Sequence, residues 1–284
     1  MPVRAGALGA ELDPVTVDVT ARWTLAYAAA TGFLFPRTFD DAGPEPLVAP
    51  PPFCVRLEWA VLLPGRGTVL GLSEVERLRA VHVEQDSTFH RPVAARDRLT
   101  TSARVVAIRQ TRAGALVQTR LVTAEAASGA PVATSWHTAI YRGVPVEGAD
   151  GRVEDAPAFP AAPGPLARAT TLAVPREAAH VYTECAGIWN PIHSERRIAL
   201  AAGLPDIVLH GTATWAMAGR EVLASHASGD PTRLRRLRAR FVSPVVPGTD
   251  LAMWQAAGAA GDVHFDVTSA HGETVLADGY ARVE

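Results

Sequence analysis

A chain of 284 residues has the length for two modest domains or one large one, and its 48% hydrophobic and 20% charged composition excludes a disordered chain. The net charge of -2 gives no global attraction to nucleic acid or an anionic membrane surface. Every basic residue is arginine, which excludes Schiff-base lysine chemistry and the lysine of a phosphate-binding loop. The two cysteines, Cys54 and Cys185, supply neither a disulfide framework nor a thiolate zinc cage. The opening MPVRAGALGAELDP lacks the apolar core of a signal peptide, and no run of about 18 apolar residues spans a bilayer. The expectation is a cytoplasmic protein that uses neither a membrane nor nucleic acid.

In chain order, the segment TLAYAAATG reads as a helix ending at Gly32, and a second, buried helix is expected around Arg56 to Leu63. The segments HVEQDSTFHRP, LTTSARVVAI, GALVQTRLVTAEA and ATSWHTAIYRG follow as strands. From about Gly143 to Pro165, Pro, Gly, Ala and acidic residues run without periodicity, as a linker does. This divides the chain into a first unit at 1–143, a linker at 144–168 and a second unit at 169–284. After the linker, a helix from Glu177 to Ala186 ends at Gly187, and small and apolar residues surround a helix from Gly211 to about Ala224. The segments LRARF, DVHFDVTS and ETVLADGYARV then alternate with period two.

The halves match in order. Tyr27 of TLAYAAATG stands 155 positions before Tyr182 of AHVYTECAG, and Pro92 of FHRPVAARDRL stands 152 positions before Pro244 of FVSPVVPGTDL. Each half is therefore an α+β unit, a helix wrapped by a curved antiparallel sheet, occurring twice.

The segment GIWNPIHSERRIALAAGLPDIVLHGTATW, Gly187 to Trp215, places Asn190, His193 and His210 in polar loops beside the small-residue helix. It resembles the MaoC-like family of (R)-specific enoyl-thioester hydratases and dehydratases, whose pattern runs roughly YxxxxGDxNPIH and then HG at the start of the central helix. The matching residues are Tyr182, Gly187, Asn190, Pro191, Ile192, His193, His210 and Gly211. The resemblance implies a double hotdog fold, and syn addition or loss of water on an acyl thioester carried by coenzyme A or an acyl-carrier protein. It implies no metal or organic cofactor, and a homodimer. By the same resemblance His193 is the acid/base histidine, Asn190 orients its loop, and the backbone N–H near Gly211 polarises the thioester carbonyl. An enolate oxygen forming at a helix N-terminus meets free N–H donors and the positive end of the dipole. Tyr182, Ile188, Trp189, His210 and Thr212 are the candidates for contact with the substrate, His210 supporting the site from behind.

One position departs from the pattern: the aspartate expected after Gly187 is Ile188. Loss of a positioned acid/base group costs on the order of 10²- to 10⁴-fold in rate. Glu184 lies on the opposite helix face from Tyr182 and Ala186, and Glu195 and Asp206 read equally as solvated loop acids. Three readings follow: a hydratase or dehydratase working with His193 alone, a repurposed isomerase or cyclase acting on a natural-product intermediate in a dry pocket, or a protein that binds acyl thioesters without turnover.

Elsewhere, Arg233, Arg235, Arg236, Arg238 and Arg240 alternate with apolar residues and read as a solvated sheet face, with phosphate contact the alternative. His82, Glu84 and His90 read as the outer face of one strand, and no spacing supports a metal. Cys54 and Cys185 read as packed residues. The first half's matching loop, GFLFPRTFDD, lacks the asparagine and histidine and is expected to be catalytically blank. By resemblance that half shapes a tunnel for the acyl group, with Phe33 to Phe39 and Pro50 to Phe53 opening space.

Overall fold

The computed structural model describes residues 1–284. The first half comprises β1 (Glu11–Asp18), α1 (Ala21–Thr31), α2 (Cys54–Val69), β2 (Ala80–Phe89), β3 (Arg98–Thr111), β4 (Gly114–Glu125) and β5 (Pro131–Arg142). The second comprises β6 (Ala167–Ala173), α3 (Ala178–Ala186), α4 (Gly211–His226), β7 (Leu234–Phe241), β8 (Asp250–Ala257), β9 (Asp262–Ser269) and β10 (Thr274–Val283). No helix is long and apolar enough to cross a membrane.

Ten of these strands lie in one sheet in the order β1-β3-β4-β5-β2-β7-β10-β9-β8-β6. Within each half the order is first, third, fourth, fifth, second, so the repeat in sequence is a repeat in topology, and the fold is a double hotdog. The halves join where β2 and β7 pair antiparallel, Leu237 opposite Ser87 and Arg238 opposite Asp86.

Local sequence sets the helices. Thr20 caps α1 by accepting from the Trp23 N–H, and Gly32 ends it in the left-handed region at φ 72°. Gly187 ends α3 in the same way at φ 65°. Helix α2 runs to Val69, past the expected end near Leu63, with Pro64 inside it. Helix α4 is buried continuously from Thr212 to Gly219, as its small residues allow, and its Trp215 is fully buried. One apolar core crosses both halves and includes Tyr27, Phe53, Tyr182 and Trp215. Phe33 and Phe53, expected to open space, instead fill this core at 0% exposure.

The segment between the halves is tied down from Val146 to Phe159. Val146–Glu147 pairs with Val3–Arg4, and Gly151–Arg152 pairs with β3. Arg236 donates to the carbonyls of Pro157 and Ala158, and the Arg238 guanidinium lies 4.1 Å over the Phe159 ring. This corrects the reading of the arginine stripe as solvated at Arg236 and Arg238, whereas Arg233 and Arg240 are exposed as that reading has them. Arg236 forms a two-pronged ion pair with Asp86 at 2.8 and 2.7 Å, and Arg238 pairs with Glu84 at 3.2 Å, both across the seam. Arg233 and Arg235 hold Glu284, which follows β10, and Arg240 holds Asp278 within β10.

His82 is a second correction. A bulge between His82 and Glu84 breaks the period-two count, so Glu84 faces the outer seam while His82 turns inward onto His137.

Candidate functional site

The loop after α3 turns on Asn190, whose Oδ1 accepts from the Ile192 N–H at 3.3 Å and starts the short turn Pro191–His193. That turn delivers His193, whose Nδ1–H donates to the Val208 carbonyl at 2.7 Å. This fixes the tautomer and leaves the Nε2 lone pair free. The ring stacks on His210 with centroids 3.6 Å apart. Burial brings the His193 pKa down to about 4, opposed only by the Val208 hydrogen bond, and no carboxylate acts on it. His193 is therefore neutral at pH 7.

His210 precedes α4 and is its N-cap. Its Nε2–H donates to the Ile188 carbonyl at 3.0 Å, joining the helix start to the histidine loop, while Nδ1 is buried without a partner. Burial, and then His193 beside it, hold its pKa well below the ordinary range. The N–H groups of Gly211 and Thr212 precede the first turn of α4 and take no acceptor from the chain. A Cβ at position 211 would lie 3.0 Å from the Phe241 ring, so the glycine is what lets that ring pack against the helix start.

Behind the helix start, the Tyr182 hydroxyl donates to Thr212 Oγ1 at 3.0 Å and lies 3.3 Å from the Tyr27 hydroxyl. Tyr182 is fully buried, so it fixes α4 from within rather than lining an open surface. Ile188 is in the apolar core at 4% exposure, and its neighbour Trp189 is 64% exposed. Glu184 and Glu195 are exposed, and Asp206 pairs with Arg196 at 3.3 Å. The structure thus brings His193, His210, Gly211, Thr212, Tyr182 and the Ile188 backbone together, and leaves Trp189 on the rim. No three His, Cys, Asp or Glu side chains converge as a metal cluster would.

Sequence reasoning missed Val208 and Phe241. Val208 acts through its carbonyl, which side-chain patterns do not report; Phe241 was signalled by the repeat, because FVSP matches FHRP and so pairs Phe241 with Phe89. At the equivalent place in the first half, Pro50 stands where His210 stands, and a shallow cleft is lined by Ala49, Pro50, Cys54, Phe89 and Leu234.

The MaoC like domain model matches residues 160–275, and the FAS1-like dehydratase domain region matches residues 6–135. The chain is 28% identical to 3-hydroxyacyl-thioester dehydratase Y of Mycobacterium tuberculosis over 98% of both chains. It is 26% identical to the probable enoyl-CoA hydratase 2 of Dictyostelium discoideum over 79% of each. A crystal structure of a MaoC-like dehydratase from Phytophthora capsici superposes with a TM-score of 0.82 at 22% identity, covering 96% of this chain and 95% of that one. Both halves thus match dehydratase-domain models, the second half that of the MaoC like domain, on a double hotdog fold.

Proposed function

We propose that the protein is a lyase of the enoyl-CoA hydratase and 3-hydroxyacyl dehydratase type that acts on an acyl thioester through His193. The observation that carries this reading is the free Nε2 of a neutral His193, stacked on the residue that precedes the unpaired N–H groups of Gly211 and Thr212. In the hydration direction, Nε2 takes a proton from water as its oxygen bonds to Cβ of the enoyl thioester. The electron pair moves to the thioester oxygen, held by the helix N–H donors. The imidazolium then returns the proton to Cα on the same face, giving the (R)-3-hydroxyacyl thioester. Dehydration is the reverse, and neither direction calls for a metal or organic cofactor. The relatives named as thioester dehydratase and enoyl-CoA hydratase support this reaction class.

The thioester handle is coenzyme A or an acyl-carrier protein, and association into a homodimer, checked by light scattering, is part of the reading. A reducing cytoplasm suits the two free thiols. The buried Ile188 favours a second reading, a carbon-skeleton reaction such as isomerisation or cyclisation, because the position where the family holds an aspartate is apolar.

The test is loss of conjugated enoyl absorbance with trans-2-enoyl-CoA substrates, comparing the natural chain, His193→Ala and Ile188→Asp. Turnover by the natural chain that His193→Ala abolishes supports the lyase. An inert natural chain that gains hydration with Ile188→Asp supports redirected chemistry instead.

A further inference from the structure

The first half contains polar side chains that the reaction does not use. Below α2, His82 and His137 stack with centroids 4.0 Å apart, and Trp59 stands 5.2 Å from each. Arg66 Nη1 is 3.2 and 3.3 Å from the two His137 ring nitrogens. Near-equal distances set it over the ring rather than along one lone pair, so the guanidinium keeps most of its donors. Arg66 has no carboxylate within ion-pair distance. Its only other neighbour of note is the Tyr141 ring, 5.6 Å away.

The sequence builds space at this point. In Pro64-Gly65-Arg66-Gly67 the last glycine admits the Arg77 side chain, which a Cβ there would strike. Arg77 in turn donates to the Leu72 carbonyl and Thr68 Oγ1. Arg66, Arg77, Trp59, Tyr141, Leu62 and Leu63 line a small open cleft. Two guanidiniums, aromatic walls and no acid among the lining residues define a pocket for a planar anion.

A run of packed side chains lies between this cleft and the reacting centre. Phe241, whose ring faces Gly211, lies 4.7 Å from His82, which leads to His137 and Arg66. We propose that the first half holds the far end of the substrate's acyl group, and that this end carries a carboxylate received by Arg66 with His137 beside it. The tail leaves the thioester at Gly211, passes Phe241 and lies along the imidazole pair. Burial keeps both imidazoles neutral, His82 down to about 3 and His137 lower than its ordinary range, so the positive charge of the cleft is that of the Arg66 and Arg77 guanidiniums.

The inference rests on the acyl-thioester reading above, and the experiment separates the two. Natural chain and Arg66→Gln are compared on a trans-2-enoyl-CoA ending in a carboxylate and on its methyl ester. Charge-assisted hydrogen bonds of this kind give roughly a 10- to 100-fold preference for the carboxylate in kcat/KM, which Arg66→Gln removes and Arg66→Lys partly restores. No preference in the natural chain, or a preference that Arg66→Gln leaves intact, overturns the proposal. Calorimetric binding of the saturated carboxylate-ended acyl-CoA and of free glutarate covers the case of no turnover. Arg66-dependent binding of the acyl-CoA supports the subsite even if the lyase reading fails. Glutarate binding as tightly as the acyl-CoA shows a separate anion site and overturns the tail assignment.

Discussion

The hydroxyls of Tyr27 and Tyr182 meet 3.3 Å apart in the buried centre of the molecule, and their rings lie 5.8 Å apart. They are the same residue of the two repeats, so the relation between the halves passes between them. The symmetry breaks in their further bonds: Tyr27 donates to the Pro52 carbonyl at 2.9 Å, whereas Tyr182 donates to Thr212 Oγ1 at the start of α4.

Removing either hydroxyl therefore has similar effects on stability and different effects on rate. Each Tyr→Phe change leaves a buried acceptor unsatisfied and costs about 1–3 kcal/mol. Tyr182→Phe also frees Thr212 beside the carbonyl-polarising N–H groups, so its kcat falls more than that of Tyr27→Phe. Denaturant unfolding with steady-state kinetics on both variants checks this.

The pH dependence of the rate follows from the burial of His193. The base form must be neutral, and with a pKa near 4 it is neutral throughout pH 5.5–8. The plot of kcat/KM against pH is therefore flat there and falls only towards pH 4. Ile188→Asp, by placing a carboxylate near the loop, moves that acid limb upward.

Stability responds to acid more strongly than rate does. His82, His137, His193 and His210 all have folded pKa values below their unfolded ones because burial penalises the cation. Between about pH 6.5 and pH 4 the unfolded chain binds more protons, so stability falls as pH falls. Each imidazole contributes up to about 1.4 kcal/mol per pH unit in that window. Thermal unfolding from pH 7.5 to 4.5 shows a steep decline, which His82→Phe reduces.

The seam between halves rests on a buried ion pair. Arg236 is 12% and Asp86 2% exposed in their side chains. Asp86→Ala leaves Arg236 buried without its carboxylate and costs about 3–5 kcal/mol, measured by urea unfolding.

The first half's buried carboxyl is a separate case. Glu58 accepts from Ser135 at 2.5 Å and from Gln85 Nε2 at 2.9 Å, and burial raises its pKa. The ionised form is penalised in the fold, so Glu58→Gln keeps or raises stability at pH 8; the unpartnered Gln85 Oε1 provides an acceptor for the new amide once the Gln85 amide turns. Glu58→Ala lowers stability by about 2–4 kcal/mol through the cavity and the Gln85 N–H left without its acceptor, Ser135 turning to Ser87.

The repeat, the helix starts and ends and the histidine loop were legible because each is carried by local sequence: left-handed glycines at Gly32 and Gly187, the Asn-Pro turn at Asn190, small residues along α4. What sequence did not show depends on partners distant in the chain. The arginine stripe alternates as an exposed face does, and only the fold reveals that Asp86, Glu84 and the segment around Phe159 cover two of its members, Arg236 and Arg238. His82 followed the wrong face because one bulged residue reverses a period-two count. The tautomer of His193 is set by a main-chain carbonyl, Val208, that no side-chain pattern encodes.

The most direct test of the account is α-proton exchange. An (R)-3-hydroxyacyl-CoA is incubated in D₂O with the natural chain, His193→Ala and Asn190→Ala, and deuterium at Cα is followed by NMR. The account predicts exchange with the natural chain, slower exchange with Asn190→Ala, whose loop is loosened, and none above background with His193→Ala. Exchange that survives His193→Ala at the natural rate would contradict the assignment of His193 as the acid/base group.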